Sequence, residues 1–177
     1  MMTNDETVLT RPSLGVPASE IPPATCRSRA ILVSWLLVIA WMGCIAFFSG
    51  DALSLKHTGG ILRWLLGHTI GHVDEIWFDR IHLLIRKGAH LGVYLILGLL
   101  AFNSWKQSLP SRSAWMFRWA LLGLLTVVAA GSVDEWHQSF VPSRTASPVD
   151  VGIDTAGGFL AQVMIGAMAL VKRRVAD

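Results

Sequence analysis

The chain has 177 residues, a length that suits one domain, and 53% of them are hydrophobic while only 15% are charged. Its mean hydropathy of +0.50 is typical of membrane proteins and argues against a soluble core. The formal net charge is only +3, and the basic residues flank apolar segments without forming a stripe, which argues against nucleic acid and favours anionic lipid headgroups as partners.

The N-terminal segment, residues 1–29, contains four prolines among Ser, Thr and Glu: Pro12, Pro17, Pro22 and Pro23. Few large apolar side chains are present to offset the entropy of ordering this backbone. We therefore predict a flexible tail. Cys26 lies in this tail and Cys44 in the apolar run that follows, so neither a disulfide framework nor a cysteine metal site is indicated.

Four apolar segments predict an all-α polytopic membrane protein with four transmembrane helices. The first, residues 30–49, runs without a charge for about 20 residues, which at 1.5 Å per residue spans a hydrocarbon core of about 30 Å. The other spans are predicted at about 89–105, 115–133 and 151–171. Together they form a transmembrane domain over residues 30–171, and a basic tail, residues 172–177, follows.

The long connection between the first two spans, residues 50–88, places apolar residues at roughly helical spacing among His, Arg and Asp. Its Trp and Arg content is typical of the membrane interface. We therefore predict one or two amphipathic helices lying in that interface. A soluble subdomain with a small core of its own is the alternative.

The basic residues that flank the spans set the expected orientation. They precede the first span, occupy the second loop and follow the last span: Arg27, Arg29, Lys106, Arg112, Arg118, Lys172, Arg173 and Arg174. With four spans these groups fall on one side, which should be the cytoplasm. We therefore expect a multi-pass protein of the cell membrane with both termini in the cytoplasm. The asymmetry is modest, because other basic residues lie on the outer side, and we attribute these exceptions to function: Lys56, Arg63, Arg80, Arg86, Lys87 and Arg144.

Four polar residues lead into the second predicted span: Arg86, Lys87, His90 and Tyr94. Residues three or four positions apart share one helix face, so Lys87, His90 and Tyr94 form a polar stripe that descends into an apolar helix. Snorkelling to lipid headgroups would explain Arg86 alone. It does not explain His90, whose side chain is short, and we include all four residues in a predicted binding site.

A polar segment that we predict to be a loop follows the third span. It brings together two carboxylates, an imidazole, an amide and a guanidinium: Asp134, Glu135, His137, Gln138 and Arg144. We predict Asp134, Glu135 and His137 as acid/base candidates, and Gln138 and Arg144 as binding residues. Acid/base groups beside fixed cations suit an anionic, phosphate-bearing ligand at the membrane surface.

Asp150 and Asp154 lie on one face at the start of the fourth predicted span. An ionised Asp in the hydrocarbon costs a few kcal/mol and persists only when it is paired or faces water. We expect Asp154 to pair with one of three outer basic residues: Arg86, Lys87 or Arg144. Both aspartates are predicted binding residues, and helix-locking salt bridges are the alternative. Gly157 and Gly158 indicate close helix packing.

The catalytic templates that we compared do not fit these residues. The chain has no H-E-x-x-H helix and no Cys pair, so we predict no metal site. Ser139, His137 and Asp134 lack a nucleophile elbow. The sequence does not identify a cofactor, which stays unknown.

These motifs resemble the VanZ-like family of membrane proteins. The sequence carries R-K-x-x-H-x-x-x-Y over residues 86–94, D-E-x-H-Q-x-F-x-P-x-R-x-x-x-x-x-D over 134–150 and D-x-x-x-D-x-x-G-G over 150–158. The resemblance covers about residues 45–171. It includes Phe47-Phe48-Ser49-Gly50, which is similar to the family's F-S-S-Q except that Gly50 replaces the final amide.

The resemblance implies a multi-helix envelope protein, since the name-giving member of the family confers low-level resistance to the glycopeptide teicoplanin. That antibiotic carries a lipid tail and acts on cell-wall precursors at the outer face, where the charges place the polar residues. We therefore expect a site that binds or modifies an anionic molecule: a membrane lipid, a lipid-linked cell-wall precursor or a lipoglycopeptide.

Two alternative functions stay open. In one, the protein is a non-catalytic structural or interaction factor of the envelope, and its charges lock the helices together. In the other, it is a small proton-coupled transporter in which Asp154, His90 and Tyr94 relay protons. Four helices without a visible internal repeat argue against the transporter.

Overall fold

A computed structural model describes residues 24–49, 55–71, 74–109, 115–141 and 147–176. These residues form five α-helices and no strand: α1 (Ala24–Ser49), α2 (Leu55–Thr69), α3 (Glu75–Ser108), α4 (Phe117–Gln138) and α5 (Pro148–Ala176). All except α2 are long and apolar enough to cross a membrane. The predicted all-α class and the four predicted spans are confirmed, although the helix ends differ from the prediction.

Helix α3 begins well before the predicted start of the second span. Its 34 residues run from Glu75, so Arg86 and Lys87 lie about three turns inside the helix and not at its start. A helix of this length extends about 50 Å, which exceeds the hydrocarbon core of about 30 Å. Part of α3 therefore projects beyond the apolar layer.

Helix α4 continues through Gln138, so the prediction of a loop from Asp134 onward was wrong. Neither Gly nor Pro interrupts residues 132–138, and the backbone therefore continues its helical hydrogen bonding. Asp134, Glu135 and Gln138 are buried against other helices. These polar residues predicted a solvated loop, because the sequence alone does not show that neighbouring helices cover them.

The local sequence favours the start of α5 at Pro148. Proline lacks an N–H group and suits the first helical turn, where that group has no partner in the helix. Ser147 caps the helix: its Oγ accepts a hydrogen bond from the Val149 N–H at 3.2 Å, and its carbonyl accepts one from the Asp150 N–H at 2.9 Å. The cap fixes where the face bearing Asp150 begins.

Helices α3 and α5 run parallel and in register. Side-chain contacts join residues that are 63 or 64 positions apart: Lys87 with Asp150, His90 with Asp154, and Gly98 with Gln162. A nearly constant offset over several turns requires two helices that point the same way. Polar residues that enter the two helices at equal depth therefore meet.

Small residues allow this close approach. A Cβ atom built on Gly157 would collide with the Leu91 carbonyl oxygen of α3, and one built on Gly98 would stand 3.1 Å from Cα of Gly158. Gly158 also packs against α4, since its Cβ would stand 2.7 Å from Cγ1 of Val127. The predicted packing role of Gly157 and Gly158 is confirmed. Backbones that approach this closely are typical of helix pairs in membranes.

The apolar core lies beneath the polar end of the bundle and joins α1, α3 and α4. Its buried residues are Val38, Ile45, Tyr94, Leu97, Val127 and Ala130. Above it, Gln138 Nε2 lies 3.4 Å from Ser49 Oγ, so α1 and α4 end side by side. The ends of α1 and α4 thus lie at the same end of the bundle as the start of α5.

Helix α2 lies against the first turns of α3. The Arg63 guanidinium donates two hydrogen bonds to the Glu75 carboxylate, at 2.6 and 2.7 Å, and lies 4.5 Å from the Phe78 ring centroid. The Glu75 hydrogen bond raises the pKa of Arg63 above its already high ordinary value, so this pair keeps its guanidinium charge over the whole working pH range. The predicted placement of this segment in the membrane interface stays a prediction.

Candidate functional site

A polar cluster lies between α3, α4 and α5 at the end of the bundle where α5 begins. We define it by seven residues: Lys87, His90, Asp134, Glu135, Gln138, Asp150 and Asp154. Four of them are buried: Asp134, Glu135, Gln138 and Asp154. All seven are predicted site residues, so the structure brings most of the predicted site residues together in one place.

Asp154 is the most deeply buried acid of the cluster, with 1% of its surface exposed. Its Oδ1 lies 3.1 Å from Nδ1 of His90. Its Oδ2 has no hydrogen-bond partner among the described residues. A Cβ atom built on Gly131 would stand 3.2 Å from Oδ2, so this oxygen faces α4.

Asp154 pairs with neither Arg86 nor Lys87, and Arg144, its third expected partner, lies outside the described residues. Among the described residues Asp154 contacts His90, while Lys87 binds Asp150 at 2.8 Å. The parallel register of α3 and α5 is the reason, because it sets Lys87 level with Asp150 and His90 level with Asp154, one turn deeper. This register cannot be predicted from the sequence alone.

Glu135 lies one turn beyond Gly131 on the same face of α4. It is 5% exposed, and its Oε2 accepts a hydrogen bond from the Ser147 N–H at 2.9 Å. Its Oε1 is buried and has no partner among the described residues. Glu135 thus joins α4 to the start of α5 and keeps one carboxylate oxygen free. Sequence reasoning missed Ser147, although Ser before Pro is a recognisable helix-start signal.

Gln138 connects the cluster to α1. It is 1% exposed, and its Nε2 donates to Asp134 Oδ2 at 2.9 Å and to Ser49 Oγ at 3.4 Å.

Tyr94, also 1% exposed, stacks on the ring of His90 with 6.5 Å between centroids. The predicted stripe on α3 therefore continues inward from His90 as a buried aromatic contact.

His137 is the acid/base candidate that the cluster does not include. Asp134 and Glu135 are buried in the cluster, whereas His137 is exposed. His137 and Asp134 line a cavity of about 240 Å³ between α1 and α4. Arg144 lies outside the described residues, so its predicted binding role stays a prediction.

Two cavities adjoin the cluster and share two residues, Arg86 and His90. The apolar cavity, about 250 Å³, lies between α1, α2 and α3 and is lined mainly by side chains such as Ile45, Phe48 and Leu62. The charged cavity, about 210 Å³, is lined by Leu83, Arg86, Lys87, His90, Ser147 and Asp150. Arg86 forms no ion pair with another described residue. Its guanidinium is therefore available where the two cavities meet.

One set of residues offers metal-ligand atoms, although no metal site was predicted. His90, Glu135 and Asp154 each offer one such atom, and these atoms lie within 4.8 Å of one another. The set was missed because its members come from three different helices and follow no spacing motif. The only sequence signal is that each residue lies within a turn or two of the polar end of its apolar segment.

Comparison with known proteins gives one match. A family model described as VanZ/LLP1 matches residues 34–169, which include α1 from Ser34 onward and every residue of the polar cluster. No curated protein and no solved structure matches the chain. The family match covers most of the chain, including the motifs inside α3, at the end of α4 and at the start of α5. The chain therefore belongs to the VanZ/LLP1 family.

Proposed function

We propose that the protein binds an anionic lipid-linked or lipid-tailed molecule of the cell envelope at the polar end of its bundle. The observation that carries this proposal is the junction of the apolar and charged cavities at Arg86 and His90. An amphiphile has the same two-part character, with an apolar chain next to a charged headgroup. Its chain would occupy the apolar cavity and its headgroup the charged one.

Charge supports an anionic headgroup. Lys87 already pairs with Asp150, so Arg86 is the cation of the charged cavity that has no acidic partner among the described residues. A guanidinium binds phosphate and carboxylate groups through two parallel hydrogen bonds. Arg144, predicted on the same side, would add a second cation.

Lipid mass spectrometry on the purified protein tests binding. We expect wild-type protein in mild detergent to retain an anionic amphiphile enriched over the bulk membrane, and Arg86→Gln to lose most of it. Arg80→Gln is the matched control, because Arg80 is exposed on the same helix and stacks over Trp77 away from both cavities. Equal retention by both variants, or a lipid profile like that of the membrane, would contradict the proposal.

A lipoglycopeptide such as teicoplanin has the same two-part chemistry, so expression of the protein should change teicoplanin susceptibility. The minimal inhibitory concentration should rise with the wild-type protein and with Arg80→Gln, but not with Arg86→Gln. Unchanged susceptibility with well-expressed wild-type protein would restrict the ligand to endogenous lipids and lipid-linked precursors.

Modification of the bound molecule is a second candidate function, and the free Oε1 of buried Glu135 favours it. A carboxylate that is withdrawn from water and has one unpaired oxygen suits proton transfer to a bound ligand. If chemistry occurs, Glu135→Gln should retain the co-purifying molecule while the cellular effect is lost. If Glu135→Gln retains both the co-purifying molecule and the cellular effect, the function is binding without modification.

A further inference from the structure

We infer that His90, Glu135 and Asp154 form a binding site for a divalent transition-metal ion such as Zn²⁺. Their ligand atoms lie within 4.8 Å of one another, at the meeting point of α3, α4 and α5. One imidazole and two carboxylates are ligand types that Zn²⁺ and similar ions accept. Metal binding by this set is independent of the proposed lipid ligand.

The free carboxylate oxygens point to a missing partner. Asp154 is 1% and Glu135 is 5% exposed, yet Oδ2 of the first and Oε1 of the second have no hydrogen-bond partner among the described residues. Buried carboxylate oxygens normally find a donor or a cation, because desolvating them without one is costly. Asp154 Oδ2 faces α4 at Gly131, on the helix face that also carries Glu135.

The distances suit coordination after a small adjustment. Tetrahedral ligands at about 2.0 Å from Zn²⁺ lie about 3.3 Å from one another. Nδ1 of His90 and Oδ1 of Asp154 are already 3.1 Å apart. The Glu135 oxygen lies within 4.8 Å of the other two ligand atoms, so it must approach them by at most about 1.5 Å to reach that spacing.

Charge also favours a divalent ion. Two carboxylates, a neutral imidazole and a divalent cation form a unit without net charge, so burial would not isolate two anions. Within the described part of the chain, the nearby Lys87 is paired with Asp150, so it does not neutralise the carboxylates of Glu135 and Asp154. The charged cavity reaches His90 and offers an entry path from the surface.

Three protein ligands leave a coordination position open, as in catalytic zinc sites. A phosphate or carboxylate oxygen of a bound molecule, or water, would occupy it. This last consequence rests on the proposed function, whereas the metal site itself does not.

Zinc titration of the full-length protein tests the inference. The protein should be untagged, carry Cys26→Ser and Cys44→Ser to remove thiol ligands, and be freed of metal with a chelator. Calorimetry with ZnCl₂ and elemental analysis should then show one bound Zn²⁺ per chain. Glu135→Gln and Asp154→Asn should each weaken binding at least about tenfold.

Asp79→Asn is the control for these variants. Asp79 is an exposed acid on α3, three turns from His90 and outside the polar cluster, so its amide should keep the affinity near that of the control background. Gel filtration and thermal melts without metal would establish that each variant is folded. Failure of the background protein to bind, or equal binding by His90→Gln/Glu135→Gln/Asp154→Asn, would overturn the site.

X-ray absorption decides the question if the variants do not fold. The metal-free background protein loaded with one equivalent of Co²⁺ should show a single imidazole among oxygen ligands. Two or more imidazoles would place the metal among the other histidines and overturn the assignment. Because no lipid is added in any of these measurements, failure of the lipid proposal would leave their result unaffected.

Discussion

The two aspartates at the start of α5 differ in depth. Asp154 is 1% exposed and contacts His90, whereas the side chains of Asp150 and Lys87 are 20% and 36% exposed. Water screens the outer pair, while the inner pair lies in a medium of low polarity. Asp150 thus has the basic partner that the helix-locking alternative requires, but in a solvent-exposed setting, whereas Asp154 is withdrawn from water. The binding roles of both aspartates stay predictions.

The outer pair should contribute little to stability. A double-mutant cycle with Lys87→Gln and Asp150→Asn should give a coupling free energy of about 0.5 kcal/mol, and no more than about 1 kcal/mol, because both groups keep contact with solvent. Unfolding free energies in detergent micelles would supply the four values. A coupling well above that range would identify the pair as the helix lock.

Gln138 should matter more, although it carries no charge. Gln138→Leu removes the donor to Asp134 and Ser49 inside the bundle, and a buried carboxylate oxygen that loses its donor costs about 1–3 kcal/mol. The same unfolding measurement checks this. Ser132→Ala is the control on the same helix, since its exposed hydroxyl bonds only the Val128 carbonyl; equal stabilities of the two variants would refute the expected role.

At the scale of elements, composition located the helices better than it located their ends. The apolar runs indicated four spans, but α3 begins at Glu75 and α4 ends at Gln138, in both cases beyond the apolar run. Polar side chains do not end a helix when neighbouring helices supply partners, as Ser147 does for Glu135. Boundaries set by tertiary contacts cannot be predicted from hydropathy.

The parallel packing of α3 and α5 should tolerate no added methyl group at Gly157. In Gly157→Ala the new Cβ would meet the Leu91 carbonyl oxygen, which belongs to the backbone and cannot rotate away. Separating the helices should cost about 1–3 kcal/mol or more and should loosen the pairs Lys87–Asp150 and His90–Asp154. Thermal melts in detergent would measure this.

Gly152→Ala provides the comparison on the same helix, because a Cβ atom there would meet nothing within 4 Å among the described residues. It should leave the melting temperature unchanged. Comparable losses in both variants would indicate a general need for glycine in α5 and not a specific contact with α3.

At the scale of the whole molecule, one end of the bundle carries the polar cluster and the two cavities that adjoin it. Four long helices account for a multi-pass membrane protein, and the exposed apolar side chains of α1 and α5 suit contact with lipid. The polar cluster lies at the end where α1 and α4 finish and α5 starts. From the positive-inside rule we predict that this end lies outside the cell.

Cysteine labelling tests that orientation. In a Cys26→Ser, Cys44→Ser background, Phe140→Cys should react with a membrane-impermeant maleimide on intact cells, because Phe140 is exposed just beyond the end of α4. Ala176→Cys, at the opposite end of α5, should react only after permeabilisation. The reverse pattern would place the cluster in the cytoplasm and contradict an envelope ligand on the outer face.

The sequence by itself determined the all-α class, the four spans and the identity of the seven cluster residues, because apolar runs and the polar groups at their ends are local properties of the chain. Only the tertiary structure decided which residues pair. The register between α3 and α5 depends on the close approach at Gly98, Gly157 and Gly158, and it assigns His90 to Asp154 and Lys87 to Asp150. The tertiary structure also sets Glu135 of α4 beside His90 and Asp154. A site where three helices meet has no signature in the sequence of any one helix.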